Sequence, residues 1–155
     1  MVRQLRGGFI SQPPANYILD LKEVEWTNSP IDRESYFSLI IAWSAAFTSF
    51  HGGNETAIAK NGALLGVGGG PSTYDAASTA INRAKEYGHD VKGAVFGADA
   101  FFPFTDVPEL LFEAGCIGGT IPAGGKGEKD VVKYFKEHKM FVGMIPEQYR
   151  GFCKH

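Results

Sequence analysis

Ala98-Asp99-Ala100-Phe101-Phe102-Pro103-Phe104-Thr105-Asp106 places three phenylalanines and a proline between two aspartates, directly after the apolar run 94–97. Because proline removes a backbone donor and fixes φ, this stretch cannot continue as a central strand. Asp106 is a candidate N-cap and Pro108 suits a first helical turn, so a helix is predicted next. The stretch is therefore predicted to lie on a strand-to-helix crossover, at the carboxyl end of a strand, where open α/β sheets bind ligands.

The three phenylalanines of this stretch allow two interpretations. Their rings could hold a flat heterocycle while Asp99 and Asp106 accept hydrogen bonds from its N–H groups. Alternatively, they fill the hydrophobic core beneath a loop, which is the more frequent role of aromatic runs. The stretch alone leaves both interpretations open.

The composition is that of an ordinary globular protein of 155 residues, of which 44% are hydrophobic and 21% charged. This length suits one domain over 1–155, with an extended N-terminal strand region at 1–28 and a core at 29–155. A net charge of −2 with mixed signs indicates no nucleic-acid binding. No apolar run reaches the roughly 20 residues that span a bilayer, and the N-terminus lacks a signal-peptide core. We therefore expect a cytoplasmic protein that binds no membrane, with Cys116 and Cys153 as free thiols.

Turn and helix signals predict the order of the elements. Asn61-Gly62 between apolar runs predicts a hairpin, Ser29-Pro30 the start of a long helix, and Ser72 the N-cap of another. The predicted strands or extended segments are 7–12, 17–26, 56–60, 63–67, 93–97, 116–121 and 140–144, and the helices are 29–50, 73–87, 107–114 and 128–138. A hairpin followed by alternating helices and strands predicts an α/β three-layer sandwich, with a mixed sheet of about five strands and helices on both faces.

The glycine-rich run 66–70 precedes Ser72 at the predicted start of a helix. Exposed amides at a helix N-terminus favour an anion such as phosphate. A tight turn that needs positive φ explains the same glycines equally well. No Gly-Lys-Ser/Thr sequence follows, so the run is not a Walker loop. Anion binding and a plain turn both remain open.

A metal site of the zinc-deaminase type is not expected. That chemistry needs a His or Cys beside a catalytic Glu and a later Pro-Cys-x-x-Cys. The chain has two cysteines, Cys116 and Cys153, and contains no Cys-x-x-Cys sequence. We therefore expect no metal cofactor.

Several motifs, in the same order along the chain, resemble the AICAR transformylases (phosphoribosylaminoimidazolecarboxamide formyltransferases) of purine synthesis. The stretch 98–106 resembles the family's SDAFFPFxD motif. The segment 7–12 resembles G-x-x-x-x-Q, and Ala42-Trp43 with Asn54 and 59–62 resembles "AW…N…AK(N/D)G". The run 66–70 resembles GIGAG, and 122–125 resembles PGGS. The segment from Arg150 to His155 resembles the C-terminal RxFxH. The resemblance implies a cytidine-deaminase-like fold, which the family contains in two copies, and this chain resembles the second copy.

On the nucleotide side, the resemblance implies that Asn54, Phe101 and Arg150 bind the substrate. Asn54 follows two glycines and in isolation is more typical of a turn, but its amide suits a carboxamide. Arg150, which composition alone would make a surface residue, suits a phosphate because a guanidinium binds it with two parallel hydrogen bonds. The family's Gln-x-Ser-Arg is absent, and Tyr74 stands where its arginine would be. One substrate contact is therefore lost.

On the folate side, the resemblance implies that Asp106 contacts the pterin. Gly125 and Lys126 belong to a glycine-rich turn that matches the family's folate-side loop, with glycine where serine is common. A cap role for Asp106 at its helix would at the same time hold its carboxylate in place. These three residues are the predicted folate-binding set.

The implied reaction transfers a formyl group from the cosubstrate 10-formyltetrahydrofolate to the exocyclic amine of AICAR. In the family, a Lys-His pair in the first deaminase-like half moves the proton, whereas the Lys-His of this chain is the terminal Lys154-His155, part of a different motif. We therefore assign no catalytic residue here.

We expect the isolated chain to be inactive and to act as a homo-oligomer such as a dimer, or with a chain that carries the first half. The alternative is a non-catalytic module that binds nucleotide or folate.

Overall fold

The computed structural model describes residues 2–11, 17–28, 33–49 and 53–147. Its strands are β1 (Val2–Leu5), β2 (Gly8–Ser11), β3 (Glu25–Trp26), β4 (Asn54–Lys60), β5 (Ala63–Gly70), β6 (Val95–Ala98), β7 (Gly118–Pro122) and β8 (Phe141–Ile145). Its helices are α1 (Arg33–Thr48), α2 (Thr73–Glu86), α3 (Asp106–Glu113) and α4 (Glu128–Glu137).

A mixed sheet of six strands, in the order β3-β8-β7-β6-β4-β5, forms the centre of the structure. β6, β7 and β8 run parallel, while β4 is antiparallel to both β5 and β6, and β3 is antiparallel to β8. The predicted α/β class is confirmed, and the short strand β3 is the addition to the expected sheet of about five strands. No helix in the described ranges is long and apolar enough to cross a membrane.

Helices cover both faces of this sheet, as the alternation along β6 shows. Phe96 packs in a buried cluster with residues of α2, α3 and α4, including Phe135. The preceding residue, Val95, packs with Leu39 of α1 on the other face. Successive strand residues point to opposite faces, so α1 forms one outer layer and α2, α3 and α4 the other. This three-layer arrangement agrees with the expected cytidine-deaminase-like fold.

The α1 layer contains both tryptophans of the chain. Trp43 stacks on Phe47 with ring centroids 4.5 Å apart, and Tyr17 meets Trp43 edge-on. Trp26 packs against the same cluster, and its Nε1 donates to the carbonyl oxygen of Leu21. The segment 17–27 thus completes the cover of this face beside α1. The predicted extended segment over 17–26 was too long, because only its last two residues pair with the sheet.

The predicted hairpin at Asn61-Gly62 is confirmed, since β4 and β5 pair across these residues. Both adopt positive φ, 53° at Asn61 and 71° at Gly62. A two-residue turn in which both residues have positive φ matches the twist of the two strands that it connects.

The predicted strand 63–67 continues to Gly70 in the structure, so residues 68–70 of the glycine-rich run belong to β5 and do not form a turn after it. A Cβ on Gly68 would lie 2.2 Å from the carbonyl oxygen of Ala76, and one on Gly66 would lie 2.3 Å from that of Ala80. Ala76 and Ala80 are buried on α2. The glycines are therefore required because α2 lies directly on the strand backbone, a close approach that side chains would prevent.

Adding a methyl group at this contact should be costly. Gly68→Ala is expected to lower the free energy of unfolding by about 1–3 kcal/mol, because α2 must move away from β5. Gly8→Ala is the matched control, since a Cβ there would meet nothing within 4 Å. Urea unfolding of both variants measures the difference. An equal effect of the two substitutions would contradict the close-packing explanation.

Cys116 is a free thiol in the core between α3 and β7, as predicted. Burial raises the pKa of this thiol from 9.0 to about 12, although Lys85 acts weakly in the opposite direction. Cys153 lies outside the described residues.

The buried thiol predicts a dependence of stability on alkaline pH. The unfolded state releases this proton first, so the free energy of unfolding should fall as pH rises through the window from 9.0 to about 12. Cys116→Ala should lack this component, and the comparison separates it from lysine titration in the same range. Unfolding curves of both proteins at a series of alkaline pH values provide the measurement. Parallel pH dependence would show that Cys116 ionises as an ordinary thiol.

Candidate functional site

The topology brings one set of chain segments to a single edge of the sheet. Because β4 is antiparallel to β6, its first residues lie beside the carboxyl ends of the three parallel strands. We call this the strand-end edge, formed by residues 54–55, 99–101, 123–125 and 146–147. Helices α2, α3 and α4 begin at the same side, since each follows a strand that ends there. This is the side at which open α/β sheets bind ligands.

The three phenylalanines of the crossover have different surroundings, and the core interpretation is confirmed for Phe102 alone. Phe102 is buried in the core cluster with Phe96 and fills the interior. Phe101 is half-buried at the strand-end edge, and Phe104 is largely exposed. Ligand contact by Phe101 stays a prediction.

Phe101 meets the second glycine-rich turn directly. A Cβ on Gly125 would lie 2.7 Å from Cδ2 of the Phe101 ring, which is closer than side chains approach one another. Because position 125 has no side chain, the backbone of the turn packs directly against the Phe101 ring. Two residues predicted from separate stretches, one for each substrate, are in contact.

The turn that contains Gly125 is held by two glutamates. Gly124 has a φ of 103°, and its backbone N–H donates to a carboxylate oxygen of Glu128, the first residue of α4. A Cβ on Gly124 would meet the Glu147 side chain, so Glu147 packs against the turn as the chain leaves β8. Lys126 is exposed beside it. Glu128 and Glu147 were missed in the sequence, because nothing local marks a glutamate that supports a distant turn.

Asn54 is the first residue of β4, paired with Gly70 of β5, and not the turn residue that its two preceding glycines suggest. Its Nδ2 donates to the carbonyl oxygens of Gly70, at 3.4 Å, and Pro71, at 3.1 Å. These bonds tie the start of β4 to the end of β5 and fix the orientation of the amide. Its Oδ1 is then the atom that can accept a hydrogen bond from a ligand.

Asp99 does not have the expected ligand-facing role. It is only 2% exposed, and its Oδ1 accepts from the backbone N–H of Glu55 at 2.7 Å. Its own N–H donates to the Glu55 carbonyl oxygen at 3.1 Å. Asp99 therefore joins β4 to the end of β6. Glu55, which is also buried, was a further residue that sequence reasoning missed.

Asp106 is the first residue of α3 rather than its N-cap, a shift of one residue from the prediction. Thr105 holds the N-cap position, and its hydroxyl donates to Glu109 at 3.0 Å. The Asp106 Oδ1 accepts from the backbone N–H of Val107, and the residue is exposed. A carboxylate here is favoured by the helix dipole and remains accessible to an N–H donor.

The N-terminus of α2 is occupied by its own side chains, as predicted for Ser72. The Ser72 Oγ accepts from the backbone N–H of Asp75 at 3.1 Å and donates to its carboxylate. An anion at this helix end would meet the Asp75 charge, so the structure favours the packing role of the glycine run over anion binding. Tyr74 is partly exposed in the same turn.

Arg150 lies outside the described residues, as does the terminal Lys154-His155, so the phosphate contact stays a prediction. The described chain ends at Glu147, three residues before Arg150, at the strand-end edge. Within the described ranges, no group of three or more His, Cys, Asp and Glu side chains could hold a metal ion.

Two curated relatives match nearly the whole chain. The bifunctional purine biosynthesis protein PurH of Aquifex aeolicus is 33% identical over 147 residues, and that of Persephonella marina is 30% identical over 146 residues. Each match covers 92% of this chain but only 28% of the relative. The chain is therefore similar to about a quarter of these longer proteins.

Matches to solved structures have lower sequence identities. A diaminohydroxyphosphoribosylaminopyrimidine deaminase/5-amino-6-(5-phosphoribosylamino)uracil reductase of Thermotoga maritima has a TM-score of 0.49 and 19% identity, covering 73% of this chain and 36% of that chain. RibD of Acinetobacter baumannii has a TM-score of 0.46 and 17% identity, covering 78% of this chain and 36% of that one. No family model matches the chain.

Proposed function

We propose that this chain is part of an AICAR transformylase of purine biosynthesis, which binds AICAR and 10-formyltetrahydrofolate at the strand-end edge. Similarity to the PurH proteins over 92% of the chain supports this proposal. Because the chain spans 28% of those relatives, the complete site would include residues that this chain does not contain. Those residues would come from a chain that carries the first half or from a homo-oligomer, in the cytoplasm.

The observation that carries the proposal is the contact between Phe101 and Gly125. The family resemblance relates Phe101 to the nucleotide base and Gly125 to folate. A formyl transfer needs the two substrates side by side, because the amine must reach the formyl carbon. Contact between a base-side ring and a folate-side turn supports this arrangement.

The polar groups beside this contact suit the two substrates. The Oδ1 of Asn54 can accept from an amine or carboxamide N–H of AICAR, because the Nδ2 group is engaged with Gly70 and Pro71. The exposed carboxylate of Asp106 can accept from the N–H groups of a pterin, and a charge-assisted bond of this kind is stronger than a neutral one. Lys126 adds a positive charge beside the folate-side turn.

The role of this chain in the transfer is to bind and to orient. A bond forms between the AICAR amine and the formyl carbon, the bond from that carbon to N10 of the folate breaks, the amine loses a proton and N10 gains one. The amine is a weak nucleophile because its electrons delocalise into the imidazole, so a proton acceptor is required. We assign that acceptor to the part of the site outside this chain.

A second candidate function is a non-catalytic module that binds nucleotide or folate. Tyr74 stands where the family has an arginine, and the α2 N-terminus carries the Asp75 carboxylate. Both features weaken the attraction for the phosphate of AICAR, and they therefore favour a module without the transferase reaction over a transformylase part. Calorimetric titration separates the candidates, since a transformylase part should bind both AICAR and a folate analogue.

Substitutions at the two sides of the site should act on different ligands. Phe101→Ala should weaken AICAR binding, and Asp106→Asn should weaken binding of a folate analogue. Each loss should be about tenfold to a hundredfold, or about 1–3 kcal/mol, because a stacking ring or a charge-assisted hydrogen bond is removed. Tyr87→Ala is the control, since this exposed ring follows the last turn of α2, at the far end of the molecule. Isothermal titration calorimetry gives the affinities.

Melting temperatures distinguish binding from structural roles in the same variants. Asp106→Asn should lower the free energy of unfolding by no more than about 1 kcal/mol, because the amide oxygen can still accept from the Val107 N–H and only the charge at the helix N-terminus is lost. If Phe101→Ala lowers the melting temperature strongly and AICAR affinity is unchanged, the ring is a core residue and the proposed base contact is wrong.

The isolated chain should show little or no formyltransferase activity. Adding a chain that carries the first transformylase half should restore formation of the formylated product, because that half would supply the proton acceptor. Product formation is measured with and without the added chain. The substitution Asn54→Ala in this chain should lower the restored activity. Turnover by the isolated chain at the rate of a complete enzyme would contradict this division of roles.

A further inference from the structure

The turn between β4 and β5 contains the one Asn-Gly pair of the sequence, Asn61-Gly62. An asparagine side chain cyclises to a succinimide when the backbone nitrogen of the next residue attacks its carbonyl carbon. Glycine hinders this attack least, because it has no side chain and the freest backbone. Both residues of the pair are exposed at the tip of the hairpin. Sequence and exposure thus predispose Asn61 to this reaction.

The backbone of the folded turn opposes the same reaction. Asn61 has a φ of 53°, in the left-handed region where ψ is about +30° to +60°. At such a ψ, the nitrogen of Gly62 and Cβ of Asn61 point to opposite sides of the Cα–C bond. The nitrogen cannot reach the side-chain carbonyl carbon in this geometry. Ring closure therefore requires the turn to open first.

Ser38 of α1 holds the backbone amide that would attack. Its Oγ accepts from the Gly62 N–H at 3.0 Å. Ser38 is only 2% exposed, so a hydroxyl that is largely removed from water anchors the turn to the helix. Opening the turn breaks this bond, and the loss of a partner for a buried hydroxyl adds to the cost of opening. Ser38 and the left-handed backbone thus act in the same direction.

A polar cavity lies between the first turns of α1 and this hairpin. Its volume is about 100 Å³, and Glu34, Ser38, Lys60 and Asn61 are among the residues that line it. A cavity of this size with several polar groups can hold water. Water, which is needed to hydrolyse a succinimide, therefore has access to the turn from the helix side as well as from its exposed tip.

We propose that Asn61 is a site of spontaneous deamidation, which the folded turn and its hydrogen bond to Ser38 suppress. In the reaction, the Gly62 nitrogen forms a bond to Cγ of Asn61 and the bond from Cγ to Nδ2 breaks. Nδ2 leaves as ammonia with the proton of the Gly62 N–H. Water then opens the succinimide at either carbonyl carbon, which leaves aspartate or isoaspartate at position 61. This inference does not depend on the proposed function.

The two products differ in their effect on the hairpin. Isoaspartate routes the main chain through the side-chain carbon and so inserts an extra atom between Lys60 and Ala63, which pair across the turn. The two-residue turn geometry is then lost. Aspartate keeps this geometry, because Asp-Gly favours the same turn type. The isoaspartyl product should therefore unfold at a lower urea concentration than the parent chain, and the aspartyl variant Asn61→Asp should not.

The parent chain, folded and unfolded, tests the protection by the turn. After incubation in mildly alkaline buffer, mass spectrometry of the digested chain measures conversion at each asparagine. Conversion at Asn61 should be at least about tenfold slower in the folded chain than in urea, because the reaction needs the locally opened turn. Asn82, which is followed by Arg83 in α2, is the internal control and should stay unmodified. Equal rates in the folded and unfolded chain, or faster conversion at Asn82 than at Asn61 in urea, would overturn the proposal.

Substitution of the anchoring hydroxyl tests the role of Ser38. Ser38→Ala should speed conversion at Asn61 in the folded chain several-fold, up to about tenfold, because one hydrogen bond no longer opposes opening. Ser35→Ala, at a second serine that lines the cavity, is the matched control and should leave the rate unchanged. Circular dichroism checks that both variants are folded.

Hydrogen exchange of the Gly62 amide tests the same bond in the parent chain without a substitution. This amide should be protected, as expected for a donor bonded to Ser38. An unprotected Gly62 amide, or an unchanged rate of conversion in folded Ser38→Ala, would show that Ser38 does not suppress the reaction.

Discussion

The antiparallel pairing of β4 with β6 is the constraint on which the rest of the structure depends. It brings the first residues of β4 to the carboxyl ends of strands that run the other way. Asp99 and Glu55 secure this junction through two hydrogen bonds between residues 44 positions apart. If β4 were parallel to β6, Asn54 would lie at the opposite edge of the sheet. The segments of the candidate site therefore meet at one edge of the sheet because β4 runs antiparallel to the three parallel strands β6, β7 and β8.

The parts of the fold that depend on local signals could be predicted from the sequence. Asn61-Gly62 specifies a turn by its own backbone preference, and Ser72 caps α2 with its own hydroxyl. The glycine run 66–70 could not be interpreted in this way. Glycine serves loops and close contacts equally, and only the position of Ala76 and Ala80 on α2 decides between them. That information lies in the tertiary structure and not in the run.

In the candidate site too, features that depend on local signals were predictable and features that depend on tertiary contacts were not. The position of the crossover at the carboxyl end of β6 was predictable, because the proline and the apolar run before it mark the end of a strand. The separate environments of Phe101, Phe102 and Phe104 were not, since the three residues are chemically alike and differ only in which way the backbone turns. The role of Asp99 was equally hidden, because its partner comes from β4. Supporting carboxylates such as Glu147 are visible only once the turn is in place.

The placement of the aromatic residues has a consequence for spectroscopy. Trp26 and Trp43 both lie in the α1 layer, and no other tryptophan occurs in the sequence. Intrinsic fluorescence excited at the indole band therefore reports on one side of the sheet. The α2, α3 and α4 layer, which contains most of the helical residues that contribute to circular dichroism, has no tryptophan of its own. Fluorescence thus observes the α1 layer, whereas circular dichroism is weighted toward the other layer, and their coincidence during denaturation would indicate that both layers unfold as one cooperative unit.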